Sequence, residues 1–291
     1  MRKAFLQLHI AVFLAGFTGV LGRLIELQEG LLVWYRLLFS AITMWVLFSI
    51  TKSLKALPFK DVLKVTGVGC IAAFHWVTFY GAIKYSNISV ALVCFSAIGF
   101  FTALFEPIVF RKKIVWIELM LGVLVMVGIF IIFHFDPQFK KGIIFGIISA
   151  MLGAIFPVFN LQLMQRMNAP TLMTWELSGG LVSLTVLLPF YFQSFPPAYW
   201  LPTLSDFLWL LVLSWLCSVW AFQLSANALK KISAFTVNLT YNLEPVYGII
   251  LAFIMYNENK YLGISFYLGL SLIILAVLLQ SWRIYRQRKR Y

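Results

Sequence analysis

Five ionisable side chains lie inside long apolar runs of the sequence: Arg36, His75, Glu106, Glu176 and Glu244. A charged group at the centre of a membrane span costs roughly 2.5–3.5 kcal/mol on insertion scales, so such groups usually face a cavity or pair with each other. Their chemistry favours binding or gating of a polar solute. We therefore take Arg36, Glu176 and Glu244 as candidates for gating residues or helix anchors.

One helical face in the ninth apolar run carries two amides and a phenol. Asn238, Tyr241, Asn242 and Pro245 fall at i, i+3, i+4 and i+7, which places them on the same side of a helix. These groups could donate and accept hydrogen bonds along a substrate path. The alternative is that they form hydrogen bonds between helices. Pro245 removes a backbone hydrogen bond and is a candidate hinge.

Three further spans, the third, the sixth and the eighth, carry helical faces that combine aromatic and polar side chains, as small-molecule sites usually do. The alternative for the aromatic residues is that they lie at the membrane interfaces, where Trp and Tyr are common. Pro157 is a second candidate hinge. The substrate-path candidates on these faces are Trp220, Gln223, Asn227, Asn160, Phe156, His75, Phe79, Trp76 and Tyr80.

Motifs of soluble and membrane enzymes are missing from the sequence. There is no H-E-x-x-H, no Gly-rich phosphate loop and no G-x-S-x-G. Cys70, Cys94 and Cys217 lie in apolar runs without a metal-ligand spacing, which is typical of inert packing residues. We expect no enzyme activity, no metal and no cofactor, although a membrane-embedded enzyme or a channel stays as the alternative.

The composition requires a bilayer. Of the 291 residues, 62% are hydrophobic and 11% charged, whereas a soluble domain carries about 25% charged residues. The net charge of +13 comes from basic residues in the gaps between apolar runs and in the tail, a pattern typical of cytoplasmic membrane loops. We therefore expect lipid and a small-molecule substrate as partners, no nucleic acid, and leave a homodimer open.

The apolar runs predict ten transmembrane helices, because the runs show no barrel-like alternation and a span needs about 20 apolar residues. They are Phe5–Leu21, Leu31–Ile50, Val65–Ile83, Ile88–Phe110, Ile114–Phe133, Ile143–Leu163, Leu172–Phe192, Phe207–Leu229, Ile232–Tyr256 and Tyr261–Gln280.

The distribution of basic residues predicts the orientation. With the N-terminus inside, seventeen of the 23 Lys and Arg residues lie in inner segments, in agreement with the positive-inside rule. Six basic residues fall on the outer side, and the adjacent pair Lys140-Lys141 among them agrees least with the rule. The six are Arg23, Arg36, Lys84, Lys140, Lys141 and Lys260. We expect a multi-pass protein of the cell membrane with both termini in the cytoplasm.

A weak internal repeat divides the chain. A shift of 146 residues places Ala82-Ile83-Lys84 on Ala228-Leu229-Lys230, Gly99 on Pro245 and Lys112 on Glu258. Because each half holds five spans, the two halves would be inverted relative to each other, as in many secondary transporters.

Four motifs resemble the EamA branch of the drug/metabolite transporter superfamily. They are residues 13–19 (FLAGFTG), 33–36 (VWYR), 79–86 (FYGAIKYS) and 242–246 (NLEPV), the last with Glu258 thirteen residues after Pro245. The first half departs from the family pattern at Gly99 and Lys112.

The resemblance implies an all-α integral membrane protein of ten helices in two inverted five-helix repeats. It divides the chain into a first repeat (1–137), a second repeat (138–282) and a basic cytoplasmic tail (283–291). It also implies a secondary transporter of small organic metabolites, amino acids or related compounds, working by alternating access, with export favoured over uptake. The central cavity would lie between spans one, three, four, six, eight and nine.

Overall fold

The structure is a computed structural model that describes residues 2–229, 231, 237, 240–241, 243 and onward to 288. All regular secondary structure in these residues is helical. The α-helices are α1 (Arg2–Leu24), α2 (Glu29–Ile50), α3 (Phe59–Tyr85), α4 (Ile88–Phe95), α5 (Ile98–Phe110), α6 (Trp116–Phe135), α7 (Lys140–Leu163), α8 (Ala169–Ser194), α9 (Leu204–Val212), α10 (Ala221–Leu229), α11 (Glu244–Tyr256) and α12 (Ile264–Arg288).

Within the described part of the chain, nine helical segments are long and apolar enough to cross a membrane. They coincide with nine of the ten predicted spans, whereas the predicted span Ile232–Tyr256 lies partly outside the described residues and is represented by α11. The helix α3 begins at Phe59, earlier than the predicted Val65. The prediction placed the start after Lys60, Asp61 and Lys64, because these charged residues interrupt the apolar run. Charged residues are tolerated in the first turns of a helix, so the helix itself begins earlier.

Two spans are locally irregular. The fourth is interrupted at Ser96 and Ala97, between α4 and α5. The eighth contains a π-helical segment, Leu213–Trp220, between α9 and α10. In this segment the Ser218 hydroxyl donates to the Leu213 carbonyl at 3.3 Å. Such segments often occur at functional sites, because the widened turn alters which side chains face inward.

Several helix ends meet at one face of the molecule, which we call the carboxylate face and define by Glu29, Asp206 and Glu258. These three residues are 2%, 1% and 2% exposed. The Glu26 amide donates to Asp206 at 2.7 Å, and the Tyr191 hydroxyl donates to Glu29 at 2.6 Å. These bonds join the α1–α2 turn to the start of α9 and the end of α8.

The opposite face, which we call the terminal face, holds the start of α1 and the end of α12. An ion pair between Arg283 and Glu118 joins α12 to the first turn of α6 there. The positive-inside rule predicts that the terminal face lies in the cytoplasm and the carboxylate face outside.

Glycines bring helix backbones into direct contact. A Cβ atom added to Gly69 of α3 would lie 2.1 Å from the Glu176 carbonyl oxygen of α8. A Cβ atom on Gly16 of α1 would lie 2.9 Å from the Glu244 carbonyl oxygen and from the Gly248 amide of α11. Close backbone approach through small residues is how helices gain packing energy in lipid, where no hydrophobic force drives them together.

The helices α5 and α11 correspond to each other in detail. Each has 13 residues, and each ends on a left-handed residue, Arg111 (φ 52°) or Asn257 (φ 53°). Both their first residues and their C-terminal caps are 146 positions apart, which is the shift of the sequence repeat. The residues that follow the caps are Lys112 and Glu258.

Candidate substrate site

Arg36 lies on α2, two turns below the carboxylate face, and is 5% exposed. Its Nε atom donates to the Ser218 hydroxyl at 3.1 Å, and its Nη1 atom donates to the Tyr80 hydroxyl at 2.9 Å. The guanidinium group lies 4.2 Å from the centre of the Trp76 ring. It forms no ion pair with any carboxylate among the described residues. Arg36 is therefore a buried cation that is hydrogen-bonded but not directly ion-paired within the described part of the chain.

The π-helical segment positions this arginine. Ser214 and Ser218 both lie on it, and the Ser214 hydroxyl donates to the Arg36 carbonyl oxygen at 3.3 Å. One serine thus holds the backbone of α2 while the other accepts from the side chain. The contact crosses the two halves of the chain.

An aromatic wall surrounds His75 on α3. The ring centres of Phe95, Phe156 and Phe79 lie 5.5, 5.6 and 6.3 Å from that of His75. The imidazole Nδ1 atom is 2.9 Å from the Ser149 carbonyl oxygen, and the Ser149 hydroxyl donates to the His75 carbonyl oxygen at 3.0 Å. These reciprocal bonds fix the histidine between α3 and α7. Phe156 itself is only partly buried.

A second polar group lies nearer the terminal face. Glu176 of α8 is 7% exposed and accepts a hydrogen bond from the Asn160 amide nitrogen at 2.9 Å. The Asn160 amide oxygen is buried and has no hydrogen-bond partner. Asn160 lies one turn after Phe156 on α7. Asn160 and its partner Glu176 therefore lie next to the aromatic wall, on its terminal side.

Glu244 is the first residue of α11 and is partly buried. It forms no hydrogen bond or ion pair with a side chain that the structure describes, but it interacts electrostatically with Arg36. Pro245 lies at the start of α11, where its missing amide hydrogen leaves no helical bond unmade. Pro157 lies inside α7. Both prolines stay predictions as hinges.

The remaining candidates occupy different places. The Tyr241 hydroxyl is 2.6 Å from the Ser225 hydroxyl, which joins the described part of the ninth span to α10. Gln223 is partly buried, whereas Trp220 is 45% exposed and Asn227 is exposed. Asn238 and Asn242 lie outside the described residues.

The structure thus brings together one group of predicted residues from α2, α3, α7 and α8: Arg36, His75, Trp76, Phe79, Tyr80, Phe156, Asn160 and Glu176. Sequence reasoning missed Phe95, Ser149 and Ser218, which complete it. No local signal marks Ser218, since its partner Arg36 is 182 positions away. Among the described residues, no group of three His, Cys, Asp or Glu side chains could hold a metal ion.

Comparison with known proteins places this arrangement in context. Comparison with curated proteins gives no significant match. A solved structure described as "Crystal structure of protein" superposes on the chain with a TM-score of 0.64 at 13% identity, covering 99% of each chain, which shows a shared fold. The model of the EamA-like transporter family matches twice, over residues 2–134 and 140–282. The chain therefore belongs to the EamA-like transporter family.

Proposed function

We propose that this protein is a secondary transporter of small zwitterionic metabolites, amino acids or related compounds, and that it works by alternating access with export favoured over uptake. The observation that carries the proposal is that Arg36 is buried with no carboxylate of the described residues at ion-pair distance. Glu244, on which Arg36 acts electrostatically, forms no hydrogen bond or ion pair with a described side chain.

In the part of the chain that the structure describes, Arg36 and Glu244 carry opposite charges inside the membrane domain without forming a direct ion pair. An isolated charge in a low-dielectric site is costly, and a partner that supplies the opposite charge with hydrogen bonds offsets that cost. Arg36 offers a planar fork suited to a carboxylate. Glu244 can accept from an ammonium group. A zwitterion would neutralise both residues at once.

The aromatic wall supports the same substrate class. The apolar surface of the wall, formed by Phe95, Phe156 and Phe79, suits the side chain of an amino acid. Arg36 would bind the carboxylate of the substrate and Glu244 its ammonium group. Small-molecule sites usually combine a largely apolar wall with a few polar groups. Glu176 and Asn160 add a polar end to this wall for substrates with a second polar group.

The test is counterflow of radiolabelled amino acids into vesicles that contain the purified protein and no ATP. We expect flux that unlabelled substrate inhibits. Arg36→Gln should lower flux at subsaturating substrate by at least about tenfold, because a charge-assisted hydrogen bond contributes about 1.5–3 kcal/mol. Arg166→Gln, which changes an exposed arginine, is the control. Equal flux in Arg36→Gln and the parent would contradict this binding mode, and no flux for any amino acid would refute the substrate class.

A further inference from the structure

Glu258 joins three helix ends at the carboxylate face. Its Oε1 atom accepts from Arg23 at 2.7 Å and from the Ile88 amide at 3.1 Å. Its Oε2 atom accepts from the Ser89 amide at 2.9 Å and from the Ser89 hydroxyl at 2.7 Å. We call these four residues the Glu258 cluster. It connects the end of α11, in the second half of the chain, to the end of α1 and the start of α4, in the first half.

The environment of this carboxylate makes the connection strong. The Glu258 side chain is 3% exposed, so its four hydrogen bonds replace those that water would provide. Two of the donors are free amides in the first turn of α4, where the helix dipole also favours an anion. The Arg23 guanidinium lies 4.2 Å from the centre of the Tyr256 ring on α11, which adds a second contact between the halves.

The helices below the Glu258 cluster are closely packed. Every residue from Ile88 to Cys94 is fully buried. A Cβ atom on Gly248 of α11 would lie 2.3 Å from the Leu92 side chain, and one on Gly19 of α1 would lie 3.1 Å from the Ile88 side chain. The contact between α1, α4 and α11 therefore closes the carboxylate face at this point.

The corresponding position in the first half has the opposite charge. Lys112 follows the cap of α5 as Glu258 follows the cap of α11. Its side chain is 62% exposed and pairs at 3.0 Å with Glu106 on α5, the helix that Lys112 follows. The α4–α5 span of 23 residues separates it from the Glu258 cluster by the thickness of the membrane domain. The terminal face thus lacks the interhelical carboxylate bond at this repeat position.

We propose that Glu258 is a gating residue: its bonds to Arg23, Ile88 and Ser89 hold the carboxylate face closed, and they must break each time the substrate site opens to that side. Because Lys112 makes no such bond, the two faces are held unequally, and the resting protein favours the conformation that is closed at the carboxylate face. The inference rests on the alternating access of the proposed function.

A labelling experiment without substrate tests this gate. Leu92→Cys, in a background that lacks the three native cysteines, places a thiol directly below the Glu258 cluster. The protein is reconstituted in nanodiscs and treated with a water-soluble maleimide. Glu258→Gln and Arg23→Gln should each raise the labelling rate by about tenfold or more, the factor expected for losing a charge-assisted hydrogen bond. Lys112→Gln, which breaks the exposed pair with Glu106, should leave the rate unchanged.

A milder variant covers the case in which Glu258→Gln does not fold. Ser89→Ala removes one of the four bonds and should raise labelling less, in the same direction. Unchanged labelling in Arg23→Gln, Ser89→Ala and any folded Glu258→Gln would overturn the gate, as would an equal increase in Lys112→Gln. The readout is independent of flux: faster labelling in a protein that transports no amino acid would refute the substrate class and leave the gate standing.

Discussion

Arg36 is held by direct contacts with uncharged groups. Tyr80 and Ser218 are neutral acceptors, and the Trp76 ring provides a weakly negative face. These contacts orient the guanidinium group without neutralising it. A carboxylate of the protein at the same place would compete with the substrate. These uncharged direct contacts are the physical reason why we propose Arg36 for substrate recognition.

Glu244 and Glu106 offer a matched comparison, since each directly precedes a proline. We expect Glu244→Gln to raise the KM for an amino acid by about tenfold or more, because its charge-assisted bond to the ammonium group is lost. Glu106 is 39% exposed and paired with Lys112, so Glu106→Gln should leave the KM within about twofold, as surface ion pairs contribute little. Initial rates of vesicle uptake measure both. A KM that is equal in the two variants would contradict the role of Glu244.

The backbone contact between α3 and α8 is the structural support for this side of the site at the scale of elements. Gly69 lies against the Glu176 carbonyl, so the distance between the two helices also sets where the Glu176 side chain lies relative to Asn160 and Phe156. The hydrogen bond from Asn160 then orients the carboxylate. The close approach of the two helices at Gly69 thus also determines the position of the Glu176 side chain.

Two neighbouring glycines of α3 test this feature. Gly69→Ala should destabilise the protein by about 1–3 kcal/mol, the usual cost of overpacking, because the new Cβ atom would meet a backbone carbonyl at 2.1 Å. A Cβ atom on Gly67 meets nothing within 4 Å, so Gly67→Ala should keep or slightly raise stability. Thermal unfolding in detergent is the measurement. A melting temperature of Gly69→Ala equal to that of Gly67→Ala would show that α3 and α8 can separate at no cost.

At the scale of the molecule, the two faces differ in chemistry. The carboxylate face joins helix ends through three buried acids, Glu29, Asp206 and Glu258. The terminal face carries the exposed pair of Lys112 and Glu106 together with the Arg283–Glu118 pair. We infer that the network of buried acids makes the carboxylate face the more rigid of the two.

The orientation of these faces is testable. Both termini should lie in the cytoplasm, because most Lys and Arg residues then lie on that side. A reporter that is active only in the cytoplasm, fused after Tyr291, should give a signal. The same reporter inserted in the predicted outer segment 193–206 should be silent. An inactive fusion after Tyr291 would disprove the predicted topology and place the carboxylate face inside.

The sequence by itself determined that the chain is a helical membrane protein of the EamA type, and where nine of its spans lie. These properties depend on runs of about 20 residues and on short motifs, which are local in the chain. It also drew attention to Arg36, His75 and Glu176, since an ionisable group in an apolar run is visible without a structure. The sequence repeat also predicted that Lys112 and Glu258 occupy equivalent positions in the two halves.

Only the tertiary structure decided which of these groups meet. Ser218 accepts from Arg36 across 182 positions, and Glu258 accepts from Ser89 across 169. Neither contact has a periodicity or spacing that a sequence could reveal, because helix packing in lipid brings together residues that are distant in the chain. The sequence predicted the charged groups. The packing of α1, α4 and α11 determined that Glu258 is buried between three helix ends at one face, while Lys112 is exposed at the other.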